Sequence, residues 1–130
     1  MVSIDTKVAV RLLVNDDPAQ TKRAVNLFTT QRVFVAKTVI LETEWVLRGV
    51  YKLDRPRVNH ALTALLYLEV VVVEDEAVVF AALDAHAKGM DLADALHLAS
   101  SHRADTFATF DAALRARAKK LNLQPKVTTP

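Results

Sequence analysis

Five acidic side chains from four separate segments have mostly apolar neighbours: Asp5, Glu42, Asp91, Asp94 and Asp111. If the fold brings these carboxylates within a few ångströms of one another, some must be protonated unless a cation neutralises them. Because the donors are all oxygens and the chain has no cysteine, the set favours a hard cation such as Mg²⁺ or Mn²⁺. Such a cation activates water and stabilises an oxyanion, so the predicted chemistry is hydrolysis of a phosphodiester bond.

Each of these residues, taken alone, also has a purely structural interpretation. Asp91 and Asp111 are well placed to cap the helices that follow them, and Asp94 would interact favourably with a helix N-terminus. Asp5 could simply end a strand, and Glu44 is expected on the solvent side of its helix. The metal hypothesis therefore depends on the combination of acids and on no single one of them.

The elements that must position these acids alternate along the chain. Short β-branched runs predict strands at 2–5, 33–36, 69–73, 106–110 and 125–128, the last an edge strand. Longer helical patterns occupy 8–14, 17–29, 38–52, 54–67, 75–88, 91–103 and 111–121. This alternation predicts an α/β fold of three layers, α/β/α, around a central parallel sheet of four to five strands.

The predicted fold gives the acids a common position. In open parallel sheets, sites lie beyond the carboxyl ends of the strands. Asp5 follows the first predicted strand and Asp111 the fourth, while Glu42 lies one turn into the helix after the second. Asp91 and Asp94 share one face of a helix start, because they are three residues apart. We therefore expect the acids to meet at one rim of the sheet.

Composition limits the class of protein. The 130 residues, 52% of them hydrophobic, suit a single domain spanning 1–130. The absence of cysteine excludes a disulfide framework and thiolate metal sites. The longest apolar stretch, 65–73, contains Glu69 and is too short to span a membrane, and no export segment is recognisable. A cytoplasmic protein without membrane contact is expected.

Basic residues offer a second feature, with two interpretations. Arg48 and four residues near the C-terminus, Arg115, Arg117, Lys119 and Lys120, could form ordinary solvated helix faces or contact a nucleic-acid backbone. The four histidines lack the spacing of a metal site, and we expect them to be structural. There is no dinucleotide-binding, P-loop or serine-hydrolase motif.

Four segments, taken in order, resemble the motifs of one family. The first is Ile4–Thr6, followed by Val8, Arg11–Leu13 and Asp16–Pro18, and the others are Leu41–Arg48, Asp91–Leu96 and Thr109–Asp111. On these segments, and over essentially its whole length, the chain resembles a PIN-domain ribonuclease of the VapC toxin type. The resemblance implies an endoribonuclease that uses Mg²⁺, or Mn²⁺ in its place. It also implies a homodimer that a small cognate antitoxin protein blocks.

Carried over by position, the resemblance implies an acidic quartet of Asp5, Glu42, Asp94 and Asp111. Asp5 and Asp94 would be direct metal ligands, Asp111 would hold the metal or a water on it, and Glu42 would position the water or a second ion. Accessory roles fall to Asp91, Thr6 and Thr109.

The chain departs from the family at Lys7, where the family usually has Asn. A lysine cannot both donate and accept hydrogen bonds as an amide does. Lys7 could point away, or its ammonium could compete with the metal. The alternative function is therefore a catalytically weakened PIN-like module that binds nucleic acid or an antitoxin.

A DNA nuclease and a phosphoacceptor domain are the other interpretations. The phosphoacceptor domain is ranked low, because it needs paired acids after the first strand and a lysine late in the sheet, and neither is clearly present.

Overall fold

The structure, a computed structural model, describes residues 1–130. Its strands are β1 (Val2–Ser3), β2 (Val33–Val35), β3 (Val71–Val73), β4 (Thr106–Ala108) and β5 (Lys126–Thr128). Its helices are α1 (Thr6–Leu13), α2 (Pro18–Thr30), α3 (Lys37–Gly49), α4 (Arg55–Leu66), α5 (Glu76–Ala87), α6 (Leu92–Ser100) and α7 (Ala112–Lys120). Every strand pair is parallel, so the predicted α/β class is confirmed.

The chain divides into two compact units, Met1–Glu76 and Ala77–Pro130. The first unit holds a three-stranded sheet in the order β1-β2-β3, in which Val33 is the partner of both Val2 and Val71. Val33 and Val35 on the central strand are fully buried, as β-branched residues of an inner parallel strand tend to be. The second unit holds a two-stranded sheet made of β4 and β5.

The single central sheet of four to five strands is not confirmed. All five predicted strands are present, but their hydrogen bonds form one sheet of three strands and another of two. Each strand is only two or three residues long. A short β-branched run identifies a strand in the sequence, whereas its hydrogen-bonding partner depends on long-range contacts that spacing does not record.

Aspartates start most of the helices. Asp17 Oδ1 accepts a hydrogen bond from Gln20 N at 3.1 Å, and Asp54 Oδ1 accepts one from Arg57 N at 3.0 Å. Both caps are followed by a proline in the first turn, where the missing N–H costs nothing. The helix starts predicted at these two positions are therefore confirmed. By contrast, α3 begins after Ala36 without a side-chain cap.

In the first unit, α3 packs against α1 and α4 and buries Ile40 and Leu47 almost completely. The expectation that Glu44 faces solvent is wrong, because this residue is only 4% exposed. The three- and four-residue steps that bury Ile40 and Leu47 also carry position 44 inward. Arg48 compensates the buried charge by donating from Nε to Glu44 Oε1 at 2.8 Å.

In the second unit, the turn after α5 contains a glycine that the geometry requires. Gly89 has φ +109°, a conformation that side chains with a Cβ rarely adopt. An added Cβ would also lie 3.2 Å from the guanidinium carbon of Arg117. The turn after α5 thus brings the chain to Met90 and the start of α6.

None of the helices is long and apolar enough to cross a membrane.

Candidate functional site

Asp5 and Glu42 line one cavity of the first unit. This cavity has a volume of about 360 Å³, and Thr6 and Lys7 also border it; we call it the Asp5–Glu42 cavity. Asp5 follows β1, and Glu42 belongs to the helix that follows the neighbouring parallel strand β2. Two of the predicted acids therefore share one strand-exit rim, as the sheet rule requires.

Asp5 has a structural role in addition to this position. It is the N-cap of α1, where its Oδ1 accepts a hydrogen bond from Val8 N at 3.1 Å. Thr6, the next residue, is buried at 8% exposure. Glu42 is exposed on α3, between the half-buried Leu41 and the buried Thr43. One acid of this pair is thus fixed by a cap, whereas the other projects from a helix face.

Asp91 and Asp94 lie together at the start of α6 in the second unit. Asp91 is the N-cap, and its Oδ1 accepts a hydrogen bond from Asp94 N at 3.2 Å. Asp94 is half-buried in the first turn, where the partial positive charge of the helix N-terminus favours a carboxylate. The capping role considered for Asp91 is therefore confirmed.

Asp111 caps α7 in the same unit. Its Oδ1 accepts hydrogen bonds from Ala113 N at 2.9 Å and from Leu114 N at 3.1 Å. Its own N–H donates to Thr109 Oγ1 at 3.0 Å. Thr109 is held in turn by its N–H, which donates to Thr128 O at 2.9 Å. The strand pair β4–β5 thus fixes the turn that carries Asp111.

Electrostatic repulsion is concentrated at Asp94. Partial burial raises the pKa of this carboxyl above its ordinary value, and the negative charges of Asp91 and Asp111 raise it further. His97, one turn later on α6, opposes this rise in the pKa. The three aspartates therefore lie within electrostatic range of one another, so a cation bound among them would relieve the repulsion.

The capping and metal-binding interpretations do not exclude each other. In Asp5, Asp91 and Asp111 the hydrogen bonds to the helix go to Oδ1, whereas Oδ2 accepts none. One oxygen of each carboxylate is therefore committed to the fold, and the second can coordinate a cation. A capped carboxylate is also held in place before the cation arrives, which lowers the entropic cost of binding.

The donor chemistry fits a magnesium ion better than a metal fully enclosed by protein. No three His, Asp or Glu side chains are grouped so that they alone could hold a metal ion. Mg²⁺ commonly keeps several waters and binds through one or two carboxylates together with substrate phosphates. The paired acids of each unit, with no sulfur or imidazole donor among them, are compatible with that kind of binding.

The quartet is distributed over both units. Asp5 and Glu42 belong to the first, and Asp94 and Asp111 belong to the second. Within each unit the structure brings the predicted residues together, by a shared cavity in the first and by electrostatic contact in the second. A role for all four as one catalytic set stays a prediction.

Lys7 lies beside the acids without pairing with any of them. It borders the Asp5–Glu42 cavity but forms no ion pair or side-chain hydrogen bond. Its exposed ammonium is thus close enough to influence the cavity electrostatically and is not held in any one position.

The basic residues predicted to touch nucleic acid have varied surroundings. Arg48 pairs with Glu44, Arg115 donates to Thr129 Oγ1, and Arg117 packs against Gly89. Lys119 and Lys120 are exposed in the last turn of α7, where cations interact favourably with the helix dipole. The arginines therefore contribute to the fold, and the two lysines retain exposed charges.

A hydrogen-bonded network beside the first-unit cavity was missed in the sequence. Tyr51 donates from its hydroxyl to Asp16 Oδ2 at 2.6 Å, and Arg11 donates to Asp16 Oδ1 at 3.1 Å. Arg11 Nε also donates to Gln20 Oε1 at 2.6 Å. The hydrogen bonds of Tyr51 to Asp16 and to Arg11 span 35 and 40 residues, a separation at which local patterns give no indication of contact.

Phe110 is the second feature that the sequence did not single out. Its side chain is 84% exposed, the highest value among the chain's large hydrophobic residues, and it directly precedes Asp111. The sequence placed it at the end of a strand, but β4 ends at Ala108. Because the predicted strand ran to residue 110, the sequence gave no indication that this side chain would be exposed.

Comparison with known protein families identifies a match. The family model described as the PIN domain matches residues 2–120. No curated protein matches the sequence.

Proposed function

Since this chain belongs to the PIN-domain family, whose members are generally metal-dependent nucleases, we propose that it is a Mg²⁺-dependent endoribonuclease. In this proposal Asp5, Glu42, Asp94 and Asp111 form its acidic set, with Mn²⁺ as an alternative ion. We further propose that it acts as the toxin of a type II toxin–antitoxin pair of the VapC kind. A small cognate antitoxin would then be its inhibitor, and a homodimer its working form.

The observation that carries the proposal is the concentration of negative charge around Asp94, which His97 offsets only in part. Three carboxylates interact there, and no lysine or arginine forms an ion pair with any of them. A fold under no functional demand would be expected to neutralise such a cluster or to disperse it, because the repulsion lowers stability. Nuclease chemistry at a polyanionic substrate accounts for keeping it.

Each residue has a task that follows from its own surroundings. Asp94 would bind the ion because the neighbouring negative charges make a cation favourable there. Asp5 would bind it through Oδ2, the oxygen that does not cap α1. Asp111 would hold the ion or orient water through the oxygen that does not cap α7. Glu42, exposed on α3, can accept a proton from an attacking water. A bound Mg²⁺ would supply Lewis-acid stabilisation of the developing negative charge.

The direct test is cleavage of a fluorescently labelled single-stranded RNA by the purified full chain. We expect cleavage with Mg²⁺, none with EDTA, and a loss of at least about 100-fold for Asp94→Asn, since electrostatic contributions of this kind are commonly worth that much. Asp105→Asn is the matched control, because Asp105 is an exposed acid of the same unit outside the cluster. Cleavage that persists in EDTA contradicts the proposal, and equal cleavage of a DNA of the same sequence contradicts its ribonuclease part.

A second candidate function follows from Lys7. The ammonium at the Asp5–Glu42 cavity would disfavour a cation there, so the chain would bind RNA or an antitoxin without turnover. Lys7→Asn, which introduces the residue usual in the family, separates the two functions. A rate of RNA cleavage that rises about tenfold or more supports the weakened module, whereas an unchanged rate together with an unchanged Mg²⁺ affinity contradicts it.

A further inference from the structure

A second cavity of the first unit lies between α1 and α2 and shares Asp5 with the acidic site. Its volume is about 390 Å³, which is within the range of pockets that hold small organic ligands. Its polar lining consists of Asp5, Lys7, Arg11, Gln20 and Arg23. We call it the α1–α2 cavity. Of this lining, the proposed acidic set uses Asp5 alone.

Two cations of this cavity have no partner of their own. Arg11 pairs with Asp16 at 3.1 Å, but Lys7 and Arg23 form neither an ion pair nor a side-chain hydrogen bond. Both are exposed, and Asp5 is the one carboxylate in the lining. The cavity therefore carries an excess of positive charge, which favours an anionic ligand.

The remaining lining is apolar and can contact the hydrocarbon or ring surface of a ligand. Val8, Ala24 and Leu27 contribute hydrocarbon surface, and the exposed Gln20 is held by Arg11 through its Oε1. The amide nitrogen of Gln20 stays available to donate a hydrogen bond. An apolar surface, one oriented amide and two unpaired cations together match a nucleotide, which combines a base with a phosphate.

We propose that the α1–α2 cavity holds one unstacked nucleotide of a single-stranded RNA, with Arg23 and Lys7 contacting its phosphate. The inference rests on the proposed function, because Asp5 would place this nucleotide next to the phosphodiester bond that is cleaved. A base in a duplex is stacked and paired on its edges, so it cannot enter such a recess without the cost of being flipped out. The cavity thus selects single strands.

Binding measured without cleavage tests the inference. The full chain is titrated in EDTA into a fluorescein-labelled 12-nucleotide RNA at about 50 and 150 mM NaCl, with anisotropy as the readout. Arg23→Gln removes one cation from the phosphate and should weaken RNA binding by about eightfold at the lower salt and about fourfold at the higher. Lys7→Gln should act in the same direction. The same RNA annealed to its complement should bind more weakly and should be insensitive to Arg23→Gln.

Lys22→Gln is the matched control. Lys22 precedes Arg23 on the same helix, is exposed, carries the same charge and does not line the cavity. If Arg23→Gln and Lys22→Gln weaken RNA binding equally, the positive charge acts only non-specifically and the inference is overturned. It is also overturned if Arg23→Gln leaves RNA binding unchanged but weakens the binding of a poly-glutamate peptide, since an acidic protein segment would then be the occupant.

The outcome is distinguishable from that of the proposed function. If RNA binding depends on Arg23 but the protein cleaves no RNA, the nucleotide site in the α1–α2 cavity is supported and the nuclease function is contradicted. If the protein cleaves RNA but Arg23→Gln and Lys22→Gln weaken RNA binding equally, the nuclease function is supported and the nucleotide site is contradicted. In an active enzyme, Arg23→Gln should raise KM about fourfold or more and leave kcat nearly unchanged, because Arg23 contacts a phosphate other than the one that reacts.

Discussion

Replacing Asp94 with Asn should stabilise the metal-free protein and destabilise it relative to wild type when Mg²⁺ is present. Asp94 is suited to this test because its side chain caps no helix, unlike Asp5, Asp91 and Asp111. The substitution keeps the shape of the side chain and removes only its charge. The two opposite effects should therefore appear in a single variant.

The metal-free effect is small. A like-charged pair three residues apart on a helix costs about 0.2–0.5 kcal/mol, and Asp111 adds a second repulsion to that with Asp91. Removing the charge also removes a favourable interaction with the helix N-terminus, worth about 0.3–1 kcal/mol. Partial burial disfavours the charged carboxylate as well, and it is the largest cause of the raised pKa of Asp94, so the unfavourable contributions exceed the favourable ones. We expect a net gain of up to about 1 kcal/mol, or about 3 °C in Tm.

The metal-linked effect is larger and opposite in sign. An ion that binds only the folded state stabilises it by about 2.7 kcal/mol at 100 times its Kd. For a domain of this size that corresponds to about 8 °C in Tm. Asp94→Asn removes a proposed ligand and should abolish most of this increase. The wild type should therefore unfold at the lower temperature in EDTA and at the higher temperature in Mg²⁺.

The pH dependence of stability provides an independent check. The raised pKa of Asp94 means that the folded wild type holds this proton more tightly than the unfolded chain. Wild-type stability should consequently fall as the pH rises from the ordinary value of 3.8 through the raised pKa. The advantage of Asp94→Asn in EDTA should be present at pH 7 and absent below 3.8.

Thermal unfolding followed by circular dichroism measures all three effects, with Asp105→Asn as the control. A Tm of Asp94→Asn below that of the wild type in EDTA would contradict the predicted repulsion at this position. The proposed role of Asp94 as a metal ligand is refuted if Mg²⁺ raises the Tm of both proteins by the same amount. Asp105→Asn should follow the wild type under every condition, because its exposed carboxylate lies outside the cluster.

Three further predictions concern the supporting structure. Tyr51→Phe should bring the lowered pKa of Asp16 back toward its ordinary value, because the hydroxyl that donates to the carboxylate is removed. The stability that Asp16 contributes at neutral pH should then be lost at a higher pH during acidification. Carbon-13 NMR of the Asp16 carboxyl measures the pKa. Gly89→Ala should cost about 1–3 kcal/mol in urea unfolding, since alanine is strained at φ +109°; a loss below about 0.3 kcal/mol would contradict this. Arg48→Met should destabilise more than Glu44→Met, because the first leaves a buried charge unpaired and the second leaves one that faces water; equal losses would contradict the asymmetry.

Much of the local structure could be predicted because it depends on local chemistry. The Asp–Pro start at residues 17–18, the capping role of Asp54 and the helix end at Gly89 each follow from backbone hydrogen bonding within one turn. The cap oxygens of Asp91 and Asp111 were likewise considered from spacing alone. These predictions are confirmed because both partners of each contact are close in sequence.

The predictions that were wrong or missing concern contacts between residues that are far apart in the sequence. Which strands pair, and which face of α3 is buried, depend on contacts between distant segments. Glu44 was expected in solvent because charged residues are rarely buried, yet the packing of Leu47 and Ile40 carries it inward. The network of Arg11, Asp16 and Tyr51 went unnoticed for the same reason.

The shared use of single carboxylates has a consequence for how this chain tolerates change. In the proposed function, one oxygen of such a carboxylate caps a helix and the other binds the ion, so a substitution could abolish cleavage and still leave the amount of folded protein unchanged. Serine, threonine or asparagine at positions 5 and 111 should yield abundant protein that cleaves no RNA, since their side-chain oxygens still cap the helix. Alanine should instead lower the stability of the fold by about 1 kcal/mol at each position, and with it the amount of folded protein. A saturation library scored separately for the amount of soluble protein and for RNA cleavage should thus contain inactive but well-folded variants at these two positions.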